Sequence, residues 1–310
     1  MTKNVEATPP PTPSSAPEAT PRRAFGRGHN HEAPVERKVK RDSHVLTHIV
    51  LITGSLIMVG PFVWQIIMSL STNHEIQSVP PTFWPAELQW KNYADVFVKL
   101  PFLHELGFSI AITALRTIGQ LILCSLAGYA FARMHFRGKG ILLGIVLAIL
   151  MVPGQAYLIT QYRIIQGLDL LDTVWGVALP GIFSAFGTFL MRQFFLSLPP
   201  SLEEAARLDG ANQWQIFWKV MMPLAKPALS AVAITTILWS WNDLLWPLIV
   251  TTQAKSMPLT VGIATLAGRT STDYSVMMAA SVMAMAPILI VFLAMQRRVV
   301  EGLAFSGAKG

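Results

Sequence analysis

The sequence predicts an all-α fold, a polytopic membrane bundle of six transmembrane helices, on three observations. Charged residues make up only 13% of the 310-residue chain and hydrophobic ones 52%, with a mean hydropathy of +0.47; a soluble domain carries about 25% charged residues. The apolar residues gather into six runs, each long enough to cross a hydrocarbon core of ~30 Å at ~1.5 Å per helical residue. The lysines and arginines between the runs are dense in alternate loops, as when successive loops lie on opposite sides of a membrane.

Ahead of the first run, residues 1–42 are rich in Pro, Ala, Thr, Ser and Glu, and then basic. Such a segment cannot bury enough apolar surface to offset its ordering entropy, so a disordered cytoplasmic tail is expected. His29 and His31 lie close together there, but two histidines in such a tail are better read as solvated than as a metal site. No short apolar core followed by a small-residue cleavage site is present, so no signal peptide is expected.

Residues 43–310 then read as one transmembrane domain, with spans at about 45–70, 106–132, 141–160, 174–191, 227–250 and 274–295. The fourth is the shortest. Pro61, Pro153, Pro180, Pro247 and Pro287 lie in or near these runs and predict kinks, with neighbouring helices re-satisfying the freed carbonyls. Cys124, the sole cysteine, sits inside the second run, which excludes an intrachain disulfide and a cysteine metal site. Between the first two runs, Trp84, Trp90 and Tyr93 suit a membrane–water interface.

With the N-terminus inside, segments 1–44, 133–140, 192–226 and 296–310 hold 18 of the 24 Lys and Arg. Lys91, Lys99, Arg163, Lys255 and Arg269 fall outside, and Arg116 lies within a run. Both termini are therefore expected in the cytoplasm of a multi-pass membrane protein. The same asymmetry accounts for the net charge of +7: the bases flank a membrane and form no nucleic-acid stripe.

The loop between the fourth and fifth runs is the most structured polar stretch. Pro199 and Pro200 stop what precedes it, and Ser201 with Glu204 spells a capping box. Ala205, Ala206, Arg207 and Leu208 favour helix, and Gly210 ends it after about two turns. Asn212 with Gln215 starts a second helix, on which Ile216, Phe217, Val220 and Leu224 form one apolar stripe. Pro223 marks the exit into the fifth run. The first helix is too short to be stable alone, so it must pack on this chain or on a partner. Its acids, Glu203, Glu204 and Asp209, are expected to present negative charge to the cytoplasm. Three readings compete: an ordinary amphipathic loop, a docking helix for another protein, and a DNA-reading helix–turn–helix. The last is poorly served by "QWQIFWKV", whose one base is Lys219.

Within the membrane, Arg116 lies midway along the second run, and Asn242 and Asp243 lie in the outer part of the fifth. An intramembrane charge needs a cavity or a polar partner. These three are the candidate translocation pathway, with an Arg–Asp pair that merely holds the bundle as the competing reading. Their run depths differ somewhat, which counts against both. Gln65, Gln120, Trp239 and Trp241 are further lining candidates, for which core packing is the simpler reading.

The spacing Glu204-Ala205-Ala206, three residues, Gly210, nine residues, Val220-x-Met222-Pro223 resembles the EAA motif of ABC importer permeases. The family usually has Ile and Leu where this chain has Val220 and Met222. The resemblance runs from about residue 45 onward and is nearest to the MalG-like branch of carbohydrate-uptake permeases. It is carried by "NYADVF" (92–97), "AGYAFARMHFRGKG" (127–140), "FLMRQFFLSLPPSLEEAARLDGA" (189–211), "WSWNDLLWPL" (239–248) and "VEGLAFSGAKG" (300–310). Phe108-Ser109 stands where the family often has Asn-Ser, and Thr160 where it often has Pro.

The resemblance implies the type I transmembrane domain of an ABC importer, with the 201–223 loop carrying a cytoplasmic coupling helix. Glu203, Glu204, Ala205, Ala206, Arg207, Asp209 and Gly210 would dock on an ATPase. It implies a second related permease subunit, two cytoplasmic ATPase subunits and an extracytoplasmic solute-binding protein as partners, beside membrane lipid. The implied cargo is a sugar or oligosaccharide, with glycerol phosphate as the alternative. "GRGHN" and "FRGKG" lack the G-x-x-x-x-G-K-[ST] spacing that cradles phosphates. ATP and Mg are accordingly expected on the partner ATPase, with no cofactor, metal or catalytic residue on this chain. A self-sufficient secondary transporter, the reading from a different class, would need midplane coupling-ion carboxylates and usually an internal repeat, and neither is visible.

Overall fold

The computed structural model describes residues 42–80, 82–268 and 272–307. The tail expected over 1–42 lies outside them except for Asp42, and so does Arg269. The chain forms two compact units, Met1–Gly54 and Ser55–Gly310. The described part of the first is the opening stretch of helix α1, Asp42–Ser69.

Large apolar side chains along α1 are exposed at Val45, Leu46, Ile57, Met58 and Phe62. A helix that is apolar without an inward stripe is a membrane span. Short helices α2 (Asn73–Gln77) and α3 (Lys91–Lys99) follow, and then the 32-residue α4, Phe102–Arg133. Thr72 and Glu75 close a capping box at the start of α2. Asn92 donates to the carbonyls of Ser69 and Ser71 at 2.9 and 3.0 Å, tying α3 to the end of α1.

Among the described residues three helices are long and apolar enough to cross a membrane: Val45–Ser69, Phe102–Arg133 and Tyr274–Met295. The third to fifth runs are not single helices; they break near the prolines that predicted kinks. In the third, α5 (Lys139–Ile149) turns by 98° into Gly154–Gly167, which contains α6 (Leu158–Gly167). Pro153 lies at the break with an extended ψ of 135°, and it has no N–H to continue a helix. In the fourth, Val174–Gly181, which opens with α7 (Val174–Ala178), meets α8 (Ala185–Ser197) at 44°. The loop helices follow: α9 (Ser201–Leu208), α10 (Gln213–Gln215), a π-helical turn Ile216–Met221 and α11 (Met222–Leu224). A 75° bend leads into α12, Lys226–Trp241. Next come α13 (Leu245–Val250), α14 (Leu259–Thr265) and α15 (Tyr274–Gly307). If each bent pair is one span, there are six.

The prolines explain the breaks, and neighbouring elements repair them. The ring of Pro247 cannot coexist with a helical carbonyl at Asp243, four residues back. The fifth run accordingly stops at Trp241 and restarts at Leu245. The freed Asp243 carbonyl accepts from Thr260 Oγ1 at 2.9 Å. The carbonyl of Gly176, four residues before Pro180, accepts from Trp246 Nε1 at 3.3 Å. Beside Pro287, Ala284 O accepts from Trp241 Nε1 at 3.2 Å. An unpaired carbonyl in lipid costs several kcal/mol, so such partners are what make prolines tolerable in spans.

Helix α4 is the spine. It packs along α8 and α12, and the approach to α8 is close: a Cβ on Gly128 would lie 2.7 Å from Met191 Cβ and 2.9 Å from Arg192 N. Without a hydrophobic drive between helices in lipid, small residues at such a seam let van der Waals packing hold them. Around its lower half Cys124, Tyr129, Met191, Phe195, Phe217 and Val232 form the main core. Two smaller clusters lie elsewhere, one joining α3, α14 and α15, the other α4, α6, α7 and α13.

Candidate functional site

The α9 loop and the region where α12 breaks both carry charge into this apolar frame. In the loop, Pro200 (φ −59°, ψ −30°) is the N-cap and Ser201 the first helical residue, with no side chain capping the start. The expected Ser201–Glu204 capping box is therefore not formed. The pyrrolidine ring already holds a helical φ, so the helix starts one residue early. The amides of Glu203 and Glu204 both reach the Pro200 carbonyl, at 3.0 and 3.2 Å.

The stop is as the sequence predicts. Gly210 has φ +82°, a left-handed conformation that a side chain would strain. Ala211 N donates to Ala206 O at 2.9 Å and Gly210 N to Arg207 O at 3.0 Å, the two bonds of a Schellman motif. The second capping box also forms: Asn212 Oδ1 accepts from Gln215 N, and Gln215 Oε1 from Asn212 N, both at 2.9 Å. The apolar stripe differs. Ile216 and Phe217 are buried, but Met221 and Ala225 take the inner positions while Leu224 is exposed. Wider i→i+5 turns over Ile216–Met221 move the buried face on by one residue. Pro223 lies in α11, just ahead of the bend into α12.

Burial divides the acids. Glu204 and Asp209 are exposed, but Glu203 is 5% exposed. This corrects the expectation that all three face outward. Residues 203, 206 and 207 lie on one side of the helix, where Glu203 is buried, Ala206 half-buried and Arg207 exposed at the edge. Glu203 Oε1 lies 3.4 Å from Arg133 Nε, and its Oε2 lies 3.4 Å from Arg207 Nη2. Arg207 also donates to Gln213 Oε1 at 3.4 Å. The alanine pair is divided too: Ala205 is exposed, whereas Ala206 packs with Ala211 on the main core. Outward, α9 presents Leu202, Glu204, Ala205 and Leu208, the last 89% exposed.

Sequence reasoning missed the groups beneath α9. Arg133, counted only as one of the inside bases, closes α4. Its Nη2 donates to Phe195 O at 2.7 Å and to Leu198 O, the carbonyls that end α8. Arg192 of α8 returns a bond to Phe131 O at 3.3 Å. Tyr129 Oη accepts from Gln213 Nε2, and its ring lies 5.5 Å from that of Phe195 and 5.2 Å from that of Phe217. The one sequence signal for this cluster was an arginine placed so near the end of an apolar run.

At the break, Arg116 and Asp243 meet. Nη1 lies 2.9 Å from Asp243 Oδ2, and Nη2 donates to Val177 O at 2.7 Å. Their depths are therefore not a bar to pairing. Helix α12 ends at Trp241, and the long guanidinium stem of Arg116 reaches its end. Arg116 is 7% exposed, and the Asp243 side chain keeps 24% of its surface. Asn242 is exposed and donates back to Leu238 O at 2.8 Å. Gln120 is held between Gly181 O and Thr236 Oγ1, at 2.8 and 2.7 Å, a packing role. Trp239 is 81% exposed. One buried acid was not foreseen: Glu105 near the start of α4 lies against Gly262 of α14, 1% exposed, its Oε2 without a hydrogen-bond partner.

Among the described residues no group of three His, Cys, Asp or Glu side chains could hold a metal. A profile of the family described as "Binding-protein-dependent transport system inner membrane component" matches residues 120–304. The arabinooligosaccharides transport system permease protein AraQ of Halalkalibacterium halodurans is 34% identical over 259 residues, covering 83% of this chain and 93% of that protein. The sn-glycerol-3-phosphate transport system permease protein UgpE of Pectobacterium atrosepticum is 32% identical over 272 residues, covering 85% and 97%. A chain from the crystal structure of a bacterial ABC transporter involved in the import of the acidic polysaccharide alginate superposes with a TM-score of 0.71. It is 26% identical, with coverage of 86% of this chain and 99% of that one.

Proposed function

This chain belongs to the family of binding-protein-dependent transport system inner membrane components, and from that premise we propose that it lines the import path for a sugar or oligosaccharide and is driven through the α9 loop. As a member it is a permease subunit of an ABC importer, a transporter component and not an enzyme. In the proposed complex it pairs with a second, related permease. Two cytoplasmic ATPases carry ATP and Mg, an extracytoplasmic binding protein delivers the solute, and both termini of this chain lie in the cytoplasm.

The observation that carries the proposal is the build of α9. A helix of eight residues, started by Pro200 and stopped at Gly210, is fixed on its inner face by Glu203 and Ala206. It leaves Glu204, Ala205 and Leu208 outward. Such an element moves as a rigid body when a partner grips its outer face. ATPase closure would then swing the bundle between inward- and outward-facing states, an alternation biased by differential contacts in each state. Arg207, Asp209 and Pro223 are likewise exposed.

A sugar fits the path better than a phosphate. The relatives include an arabinooligosaccharide permease and a glycerol-phosphate permease. Arg116 is the one base inside the apolar runs, and Asp243 already neutralises it. Asp243 and Asn242 remain partly exposed acceptors and donors of the kind that hydroxyls match. The test is reconstitution with the cognate ATPase and binding protein, screening sugars and glycerol phosphate for stimulated ATP hydrolysis. Glu204→Lys and Gly210→Pro should abolish uptake while membrane insertion persists. Normal uptake in either would remove the docking role of α9.

A further inference from the structure

We infer that Arg133 is the positioning residue through which movement of α9 reaches the spans. This rests on the docking role proposed for α9 and divides its two adjacent glutamates, Glu204 for the partner and Glu203 for Arg133.

Three elements meet on one guanidinium. Arg133 belongs to the last turn of α4, its Nη2 holds the carbonyls of Phe195 and Leu198 at the end of α8, and its Nε faces Glu203 of α9. Both side chains are shielded, with 11% and 7% of their surface exposed. Lysine could not replace this arrangement, because a planar fork holds several acceptors in fixed directions and an ammonium is a single point. Arg192 ties the same two spans from the other side through Phe131 O.

The contact with α9 is the loose part of this cluster. Nε and Oε1 are 3.4 Å apart, and neither makes an aligned hydrogen bond. The grip on α8 is tight by comparison, at 2.7 Å to Phe195 O. A buried ion pair with slack on one side only is a place where a small displacement of α9 changes the energy steeply, since screening there is weak. Pulling α9 outward would strain the pair and draw α4 and α8 along together; pushing it inward would close the hydrogen bond. The hydrogen bond from Gln213 to Tyr129 also ends on α4, and the Phe217 ring packs on Tyr129. Movement of the loop thus reaches the spine helix at Tyr129 and at Arg133, of which Arg133 is the charged contact.

The test uses the whole importer in vesicles, with Arg133→Gln, Arg133→Lys, Glu203→Gln and Glu204→Lys compared. Two quantities are read: retention of the ATPase on purification, and solute moved per ATP hydrolysed. Arg133→Gln and Glu203→Gln should keep the ATPase bound but lose about tenfold in solute moved per ATP, a coupling loss within the usual range for linked sites. Arg133→Lys should fall between, keeping the charge but not the grip on α8. Glu204→Lys should lose the ATPase itself. A wild-type ratio in Arg133→Gln or Glu203→Gln overturns the inference, as does loss of the bound ATPase in Glu203→Gln. If Arg133→Gln is not inserted, Glu203→Gln, which keeps shape and removes one charge, decides alone. Retention of the ATPase by Glu204→Lys would instead overturn the docking role of α9, a separate failure.

Discussion

Arg116 and Asp243 form the one ion pair among the described residues that lies within the spans, and its worth depends on which partner is removed. The guanidinium is buried and holds Val177 O as well as the carboxylate. Taking away the carboxylate leaves a buried charge without a counter-charge, which costs ~3–5 kcal/mol in a fully buried pair. Asp243 keeps 24% of its surface exposed, so the cost here should be lower, about 2 kcal/mol. Asp243→Leu and Arg116→Met should each lower the melting temperature of the purified complex, and the double variant should recover most of the loss. Additive losses in the double would refute a structural pair. If the double is stable yet transports nothing, the pair also serves the path. Its existence was half legible in the sequence, since both residues stood out as charges in apolar runs. Their pairing was one of the two readings the sequence offered; its geometry was not legible, because that depends on where Pro247 stops α12.

Elements, too, are set by single backbone facts. Gly128 brings α4 onto α8 so closely that a methyl group would meet the backbone nitrogen of Arg192 at 2.9 Å. Gly144 of α5 has nothing within 4 Å of such a methyl. Gly128→Ala should therefore lower the melting temperature, while Gly144→Ala should leave it unchanged or raise it slightly, since alanine in a helix is favoured by ~1 kcal/mol over glycine. Equal effects would mean the seam can relax. Between α1 and α3, the loop is held by Glu75. The Ala86 amide, first, and then the Thr72 amide and hydroxyl hold its carboxyl below the usual glutamate range. A carboxyl with a depressed value stabilises the fold above its unfolded value of about 4.3. That contribution fades as the pH falls through the folded value. Protection of the Ala86 amide from exchange, relative to its intrinsic rate at each pH, should fall only below the ordinary glutamate value of about 4.3, and Glu75→Gln should abolish that dependence. At this scale the caps were readable where geometry allowed one answer. Gly210 and Asn212 acted as their types predict, but Ser201 did not, because Pro200 had already begun the helix.

The whole molecule was legible as a set of apolar runs and less so as a set of rods. Prolines 153, 180 and 247 announced departures from straight helices, but not their angles, which follow from tertiary partners such as Thr260 and Trp246 accommodating the freed carbonyls. The inward turn of Glu203 was hidden for a similar reason: sequence shows which face of a helix is charged, not which arginine waits under it. What the runs do predict is sidedness, through 18 of 24 bases in alternate segments. Each base moved to the wrong side opposes the charge asymmetry that orients insertion, so the arrangement has one strongly favoured orientation. Cysteine labelling in intact cells reads it directly. Cys124 is fully buried and pairs weakly with Ser184, so it should stay silent. Lys255→Cys, in an exposed turn, should react with a membrane-impermeant maleimide from outside. Arg137→Cys and Leu208→Cys, equally exposed, should react only after the cells are opened. The reverse pattern would place α9 outside, out of reach of any cytoplasmic ATPase, and would end both the docking role and the part given to Arg133. Labelling of all three from outside would place Arg137 outside and mean that the bent pair between Leu208 and Lys255, Gln213–Leu224 with Lys226–Trp241, returns to the side it came from instead of crossing.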